Sequence, residues 1–124
     1  MAGFWRQDIK SSIVELINAE MAAYLAAKAG DDRVKAWGAL ERAHILSHPY
    51  LPLHVANHWA MLKFAFETRD AKEAIGQMTR LALAPLGALT GRIPIGNTGR
   101  SNVSAFKTMP IPDDLRDAIS KVTT

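Results

Sequence analysis

The stretch AWGALERAHILSHPYLPLHVANH, residues 36–58, decides the fold of this 124-residue chain. Both of its halves have apolar residues at helical spacing, and Pro49 and Pro52 stand between the halves. A proline pushes the residue before it out of the helical region, but it is well tolerated in the first turn of a helix. The stretch therefore predicts two antiparallel helices joined by a short prolyl turn.

The same spacing extends on both sides of this stretch and predicts four helices. They cover residues 8–29, 32–47, 53–68 and 70–85, with Gly30 ending the first helix, Asp31 or Asp32 capping the second and Asp70 capping the fourth. Residues 86–112 are rich in glycine and proline and have no helical period. We predict that they form an irregular segment that wraps on the helices, the alternative being a mobile segment that orders only on a partner. A short helix over residues 113–121 closes the chain.

The second and fourth helices share a packing pattern. Ala36, Leu40 and Ala43 recur 38 positions later as Ala74, Met78 and Leu81, and a proline follows each set. This pattern is similar to the second helix of a tetratricopeptide repeat. We therefore predict one all-α domain over residues 1–124, made of two antiparallel helical hairpins with tetratricopeptide-like stacking. A closed four-helix bundle and an open stack both fit the pattern.

The composition excludes several classes of function. The chain has no cysteine, which excludes disulfides, iron–sulfur clusters and thiolate metal sites. The net charge is only +3 and no run of basic residues occurs, so we expect no nucleic-acid partner. We see no secretion signal and no apolar stretch that could span a membrane, so the expected location is the cytoplasm.

The four histidines of the chain all lie within fifteen positions. His44 and His48 end the second predicted helix, and His54 and His58 begin the third. Residues four apart share one face of a helix, so we expect the two pairs to meet across the hairpin. We predict that His44 and His58 face each other in the seam, and that His48 and His54 are the more exposed pair. The alternative is that all four are ordinary polar residues of a helix interface.

Imidazoles that converge in this way suit zinc, copper, nickel or iron. We predict a metal site with Glu41, His44, His54 and His58 as ligands, and with Glu20 and His48 as auxiliaries. Glu41 and His44 form a Glu-x-x-His pair, half of the motif found in di-iron bundles, but the chain lacks a second such pair. Zinc bound by the Glu/His set is the simplest version of the site, while di-iron and haem are further alternatives.

Five motifs stand out along the chain: LERAHIL (40–46), His-x3-His-Trp (54–59), Gly-Gln-x2-Arg-Leu-x-Leu-Ala-Pro (76–85), a tail motif within Gly91–Lys107, and Met-Pro-Ile-Pro (109–112). Together they resemble a small bacterial family catalogued as domain of unknown function 3703. The resemblance covers the chain from about residue 20 and implies a helical domain of a bacterial cytoplasm, without an activity. Its motifs include Glu41, His44, His54 and His58, whereas His48 lies outside them.

A second hypothesis belongs to a different class of function. Stacked helical hairpins bind peptides or partner helices, so the chain could be a protein-interaction module without a metal, and its partner a peptide or a second copy in a homodimer. Within the tail motif, residues 96–100 predict a tight turn that uses glycine and asparagine at positive φ.

Overall fold

The computed structural model describes residues 2–90, 97–101 and 107–123, with side-chain surroundings for residues 10–84, 97–101 and 107–123. These parts of the chain form five helices and no strand, which confirms the all-α prediction. The helices are α1 (Ala2–Ala29), α2 (Arg33–Ser47), α3 (Leu51–Glu67), α4 (Ala71–Thr90) and α5 (Asp113–Thr123). Of the helices described, none is both long enough and apolar enough to cross a membrane.

The helices stack in chain order as two antiparallel hairpins. Helix α1 packs on α2, α3 packs on α4, and α2 joins the two hairpins by packing on α3. Helix α5 lies on α1 and α2. Because α1 and α4 do not approach each other in the described residues, the hairpins form an open stack rather than a closed bundle.

The two hairpins turn in the same way, as their repeated sequence pattern implies. Asp32 caps α2 and Asp70 caps α4, each by accepting a hydrogen bond from the backbone N–H three residues further on. Asp31 and Arg69, 38 positions apart, both have a positive φ, of 55° and 58°. The left-handed residue after α1 is therefore Asp31 and not Gly30, because aspartate tolerates this conformation in a turn.

Two apolar clusters hold the stack together. The larger one joins both hairpins, because the rings of Tyr24 and Trp37 pack edge-on against Phe64 at centroid distances of 5.4 and 5.2 Å. The smaller one attaches α5, since Leu115 is buried against Ile45 and Leu46 of α2. Burial of each such side chain contributes about 1.5–3 kcal/mol, so these clusters fix the relative positions of α1, α2, α3 and α5. Along α2, His44 lies between the two clusters.

The helical part of the second hairpin is longer than the sequence predicts. Helix α4 continues through Pro85 to Thr90, so the irregular segment does not begin at residue 86. A proline inside a helix removes one hydrogen bond and usually ends the helix. Here about four turns precede Pro85, and three of the five residues that follow it, Leu86, Ala88 and Leu89, are strong helix formers. Of the predicted wrap, residues 97–101 lie against α2 and α4, while residues 91–96 and 102–106 lie outside the described part.

Candidate metal centre

Three histidines bring one nitrogen each to a common point between α2 and α3. The Nε2 atoms of His44 and His54 are 3.2 Å apart, those of His44 and His58 are 3.2 Å apart, and those of His54 and His58 are 2.9 Å apart. All three side chains are buried. The prolyl turn causes this meeting, because it places the last turns of α2 opposite the first turns of α3.

The other nitrogen of two of these imidazoles is held by an oxygen that can only accept. His44 Nδ1 lies 2.8 Å from the backbone oxygen of Asn97, and His58 Nδ1 lies 2.7 Å from Oε1 of Gln77. The amide of Gln77 is fixed in this orientation because its nitrogen donates to Glu73 and to the carbonyl of Gly99. Both Nδ1 atoms therefore carry the proton, and both Nε2 atoms of the neutral rings present a lone pair.

The Nε2 lone pairs of His44 and His58 therefore point toward one another across 3.2 Å, and a cation between them would satisfy both. An added proton is not this cation near neutral pH, since burial and the neighbouring imidazoles lower the pKa of His54 to about 3 and the pKa of His44 well below its usual value. Burial likewise lowers the pKa of His58 to about 4, although the hydrogen bond to Gln77 opposes the shift. Neutral imidazoles are the form that binds a metal ion.

His48 completes the group of four rings. Its ring centroid is 4.4 Å from that of His54 and 4.9 Å from that of His44. One of its nitrogens lies within 4.8 Å of a nitrogen of each of these two histidines. Its Nδ1 is buried and has no hydrogen-bond partner, so it is a polar atom that a further ligand would satisfy. His48 is half-buried, and His54 is 9% exposed, against 2% for His44 and 3% for His58. The prediction that His48 and His54 are the more exposed pair is therefore confirmed, although His54 is itself buried.

Residues 97–101, hereafter the strap, cover His44. Gly99 has a φ of 81°, and a Cβ added to it would lie 2.5–2.8 Å from atoms of the His44 ring. Asn97 shapes the strap, because its side-chain oxygen accepts from the Gly99 N–H and its side-chain nitrogen donates to the carbonyl of Lys107. Gly99 adopts the positive φ expected of this turn, but Asn97 does not.

A partly buried ion pair ties the strap to α4. Glu73 accepts from Arg100 Nε at 2.6 Å, from the backbone N–H of Ser101 at 2.9 Å and from Gln77 at 2.8 Å. Burial alone would raise the pKa of Glu73, but these three hydrogen bonds outweigh it and the pKa lies below its usual value. The Arg100 guanidinium also stacks on the Trp37 ring at 3.9 Å. A continuous polar chain thus runs from Arg100 through Glu73 and Gln77 to His58.

The structure brings together the four predicted histidines but not the two predicted glutamates. Glu20 accepts a hydrogen bond from Arg42 Nε at 2.9 Å, and Arg42 also binds Asp114 of α5. Glu41 interacts with the charges of Arg100 and Glu73, and burial raises its pKa. In the part of the chain that the structure describes, no carboxylate joins the imidazole nitrogens as a potential ligand.

The sequence analysis missed the residues that orient the imidazoles, namely Gln77, Asn97, Gly99, Glu73 and Arg100. The sequence contained a signal for them, because most of these residues, like His44, His54 and His58, stand in the motifs that the chain shares with the family. Gln77 belongs to the 76–85 motif, and the strap belongs to the tail motif. Contact between segments so far apart in the sequence could not be inferred from helical spacing.

The comparisons with known proteins agree with the sequence resemblance. The family model described as protein of unknown function DUF3703 matches residues 11–119. The chain belongs to this family. No curated protein and no solved structure matches the chain. The matched range contains the four histidines and the strap, so the whole candidate centre lies within the family's domain.

Proposed function

We propose that the protein binds one divalent transition-metal ion between α2 and α3, through Nε2 of His44, His54 and His58. The observation that carries this proposal is the triangle of three Nε2 atoms with sides of 2.9–3.2 Å. A tetrahedral zinc ion bound at 2.0–2.1 Å from each nitrogen requires nitrogens about 3.3 Å apart, so the triangle needs to expand only slightly. The hydrogen bonds to Asn97 and Gln77 have the orienting role that partners of metal-bound histidines have in known sites.

His48 is the fourth ligand in this proposal. Its unsatisfied Nδ1 and its partial exposure favour a small side-chain rotation toward the ion. Four neutral imidazoles without a carboxylate or a thiolate suit zinc or copper, and a single-ion site of this kind differs from the carboxylate-bridged di-iron alternative. Glu41 then acts outside the coordination sphere, next to the Arg100–Glu73 pair.

Metal titration of protein purified without a histidine tag tests this function. After removal of metal with a chelator, added zinc should raise the unfolding temperature, because a ligand of the native state stabilises it by about 4 kcal/mol when the free ligand is in excess at a thousand times its Kd. Elemental analysis should give one ion per chain. Cobalt should give the visible absorption of a tetrahedral site.

Matched variants separate this ligand set from the set predicted by sequence. His44→Ala and His58→Ala should abolish the stabilisation by zinc, whereas Glu41→Gln should retain it. Loss of zinc binding in Glu41→Gln with retention in His58→Ala would reject the proposed ligands. If none of zinc, copper, nickel or iron changes the unfolding temperature of the wild-type protein, the metal-free interaction module becomes the better account.

A further inference from the structure

The two hairpins are repeats offset by 38 residues, and this offset identifies which surfaces lack a partner. On α2, the stripe Trp37, Leu40 and His44 faces α3 and is buried. The equivalent positions on α4 are Ile75, Met78 and Ala82. In the part of the chain that the structure describes, no third hairpin packs on α4, and this stripe is open: Ile75 is 60% exposed, Met78 is 47% exposed and Ala82 is exposed.

The other end of the stack has the complementary surface. The residues of α3 that meet the α2 stripe include Asn57, Met61 and Phe64. Their equivalents on α1 are Ala19, Ala23 and Ala26, and all three are exposed. Helix α1 therefore carries a face of small side chains at the place where α3 carries its contact face for α2.

We propose that the α4 stripe of one molecule docks on the alanine face of α1 in a second copy of this chain, so that the hairpin stack continues from head to tail. The chain's own α2–α3 packing is the template for this contact. It places Ile75 against Ala26 of the second copy and Met78 against Ala19, as Trp37 meets Phe64 and Leu40 meets Asn57 within one molecule. Large apolar side chains then fill the space that the alanines leave.

The described contacts leave this end of α1 free for docking. Helix α5 packs on the earlier part of α1, against Leu16 and Ile17, and Arg42 draws Glu20 toward α2. Beside Ala23 and Ala26, a groove between α1 and α2 reaches Gly38, and a Cβ added there would meet nothing within 4 Å. The equivalent glycine of the second hairpin, Gly76, is covered by the strap.

The proposal does not depend on the metal centre. The α4 stripe carries Ala82 where α2 carries His44, and α1 carries Glu20 where α3 carries His58, so the contact between molecules contains no imidazole. A head-to-tail contact uses two different surfaces, so assembly closes into a ring or grows with concentration instead of stopping at a dimer that repeats one surface.

Cross-linking of single-cysteine variants tests the contact, because the natural chain has no cysteine. Ile75→Cys and Ala26→Cys are made in separate chains and treated with a short bis-maleimide in excess chelator. We expect a cross-linked dimer from the mixture and little from either variant alone. Strong cross-linking of Ile75→Cys with itself would show that two α4 faces meet, and would overturn the head-to-tail contact.

Sedimentation of the metal-free protein supplies the second measurement. Ile75→Asp should weaken self-association at least tenfold, whereas Val34→Asp should not change it. Val34 is a fair control because it is an apolar residue of a helix surface, 84% exposed, and lies on neither docking face. A wild-type protein that stays monomeric at several hundred micromolar would also overturn the proposal.

Discussion

Replacing Gln77 by methionine should weaken zinc binding although none of the proposed metal ligands is changed. Gln77 is completely buried, accepts from His58 Nδ1 at 2.7 Å and donates to Glu73 and the Gly99 carbonyl at 2.8 and 2.9 Å. Methionine fills nearly the same volume but offers no comparable acceptor. Loss of such an orienting partner lowers metal affinity about 10- to 100-fold, or about 1.4–2.7 kcal/mol.

The same substitution should destabilise the metal-free protein less than the zinc-bound protein. Without metal, the His58 ring can move its proton from Nδ1 to Nε2 and donate to a neighbouring imidazole, so its N–H is not left unpaired. Zinc requires the Nε2 lone pair and therefore returns the proton to Nδ1, where methionine cannot accept it. An unpaired buried donor raises the free energy of the protein by about 1–3 kcal/mol, and here it raises the free energy of the zinc-bound state.

The assay is zinc affinity by competition with a chromophoric chelator, together with thermal unfolding with and without zinc. Gln77→Glu is the matched control, since its carboxyl oxygen can still accept from His58 while one of the two adjacent carboxyl groups takes up a proton. It should keep the affinity within a few-fold of wild type. A folded Gln77→Met variant with wild-type zinc affinity would refute the assignment of the His58 proton.

Three further predictions follow from the glycines and from the buried imidazoles. Gly76→Ala should lower both stability and zinc affinity, because the added Cβ would lie 2.1 Å from Ser101 Cβ. At the equivalent position of the first hairpin, Gly38→Ala should instead stabilise the protein by about 0.5–1 kcal/mol in thermal unfolding, because the added Cβ meets nothing within 4 Å. Gly99→Ala should lower zinc affinity in the chelator competition, because the positive φ costs about 1–2 kcal/mol and the methyl group meets the His44 ring. In urea titrations, the metal-free protein should keep its full stability above about pH 6.5 and lose it as the pH falls, because the folded state holds the histidine pKa values below those of the unfolded chain.

Local signals in the sequence were sufficient for most of the fold. The prolyl turn between Pro49 and Pro52, the capping aspartates Asp32 and Asp70, and the 38-residue repeat each act over a few residues or one helix face. The structure confirms the two antiparallel hairpins that these signals predict. The boundary at Pro85 was wrong because a single helix-breaking residue was given more weight than the helix formers that follow it.

Helical geometry predicts the meeting of the histidines but not the rest of the candidate centre. His44 and His58 meet because each lies one turn away from the prolyl turn. Glu41 was expected on the same stripe as His44, but residues three apart point about 60° away from each other around a helix, and that offset is enough to turn the Glu41 side chain to the Arg100–Glu73 pair. The roles of Gln77 and the strap depend on contacts between distant segments, for which the sequence offers no spacing rule.

The position of the centre in the repeat gives a reason why the proposed metal ion would bind there. The α2–α3 contact is the direct helix packing between the two hairpins, and the apolar cluster around Trp37 and Phe64 secures only one end of it. At the other end, imidazoles take the place of apolar side chains, and the Nε2 lone pairs of His44 and His58 oppose one another. Without a cation, this end of the contact adds little to the free energy of folding, because buried polar groups cost stability unless they are paired.

A bound ion would make the same residues a link between the two hairpins. Because His44 contacts the strap and His58 contacts Gln77 of α4, the ion would also fix the strap and α4. Metal binding and the stacking of the hairpins would then be coupled.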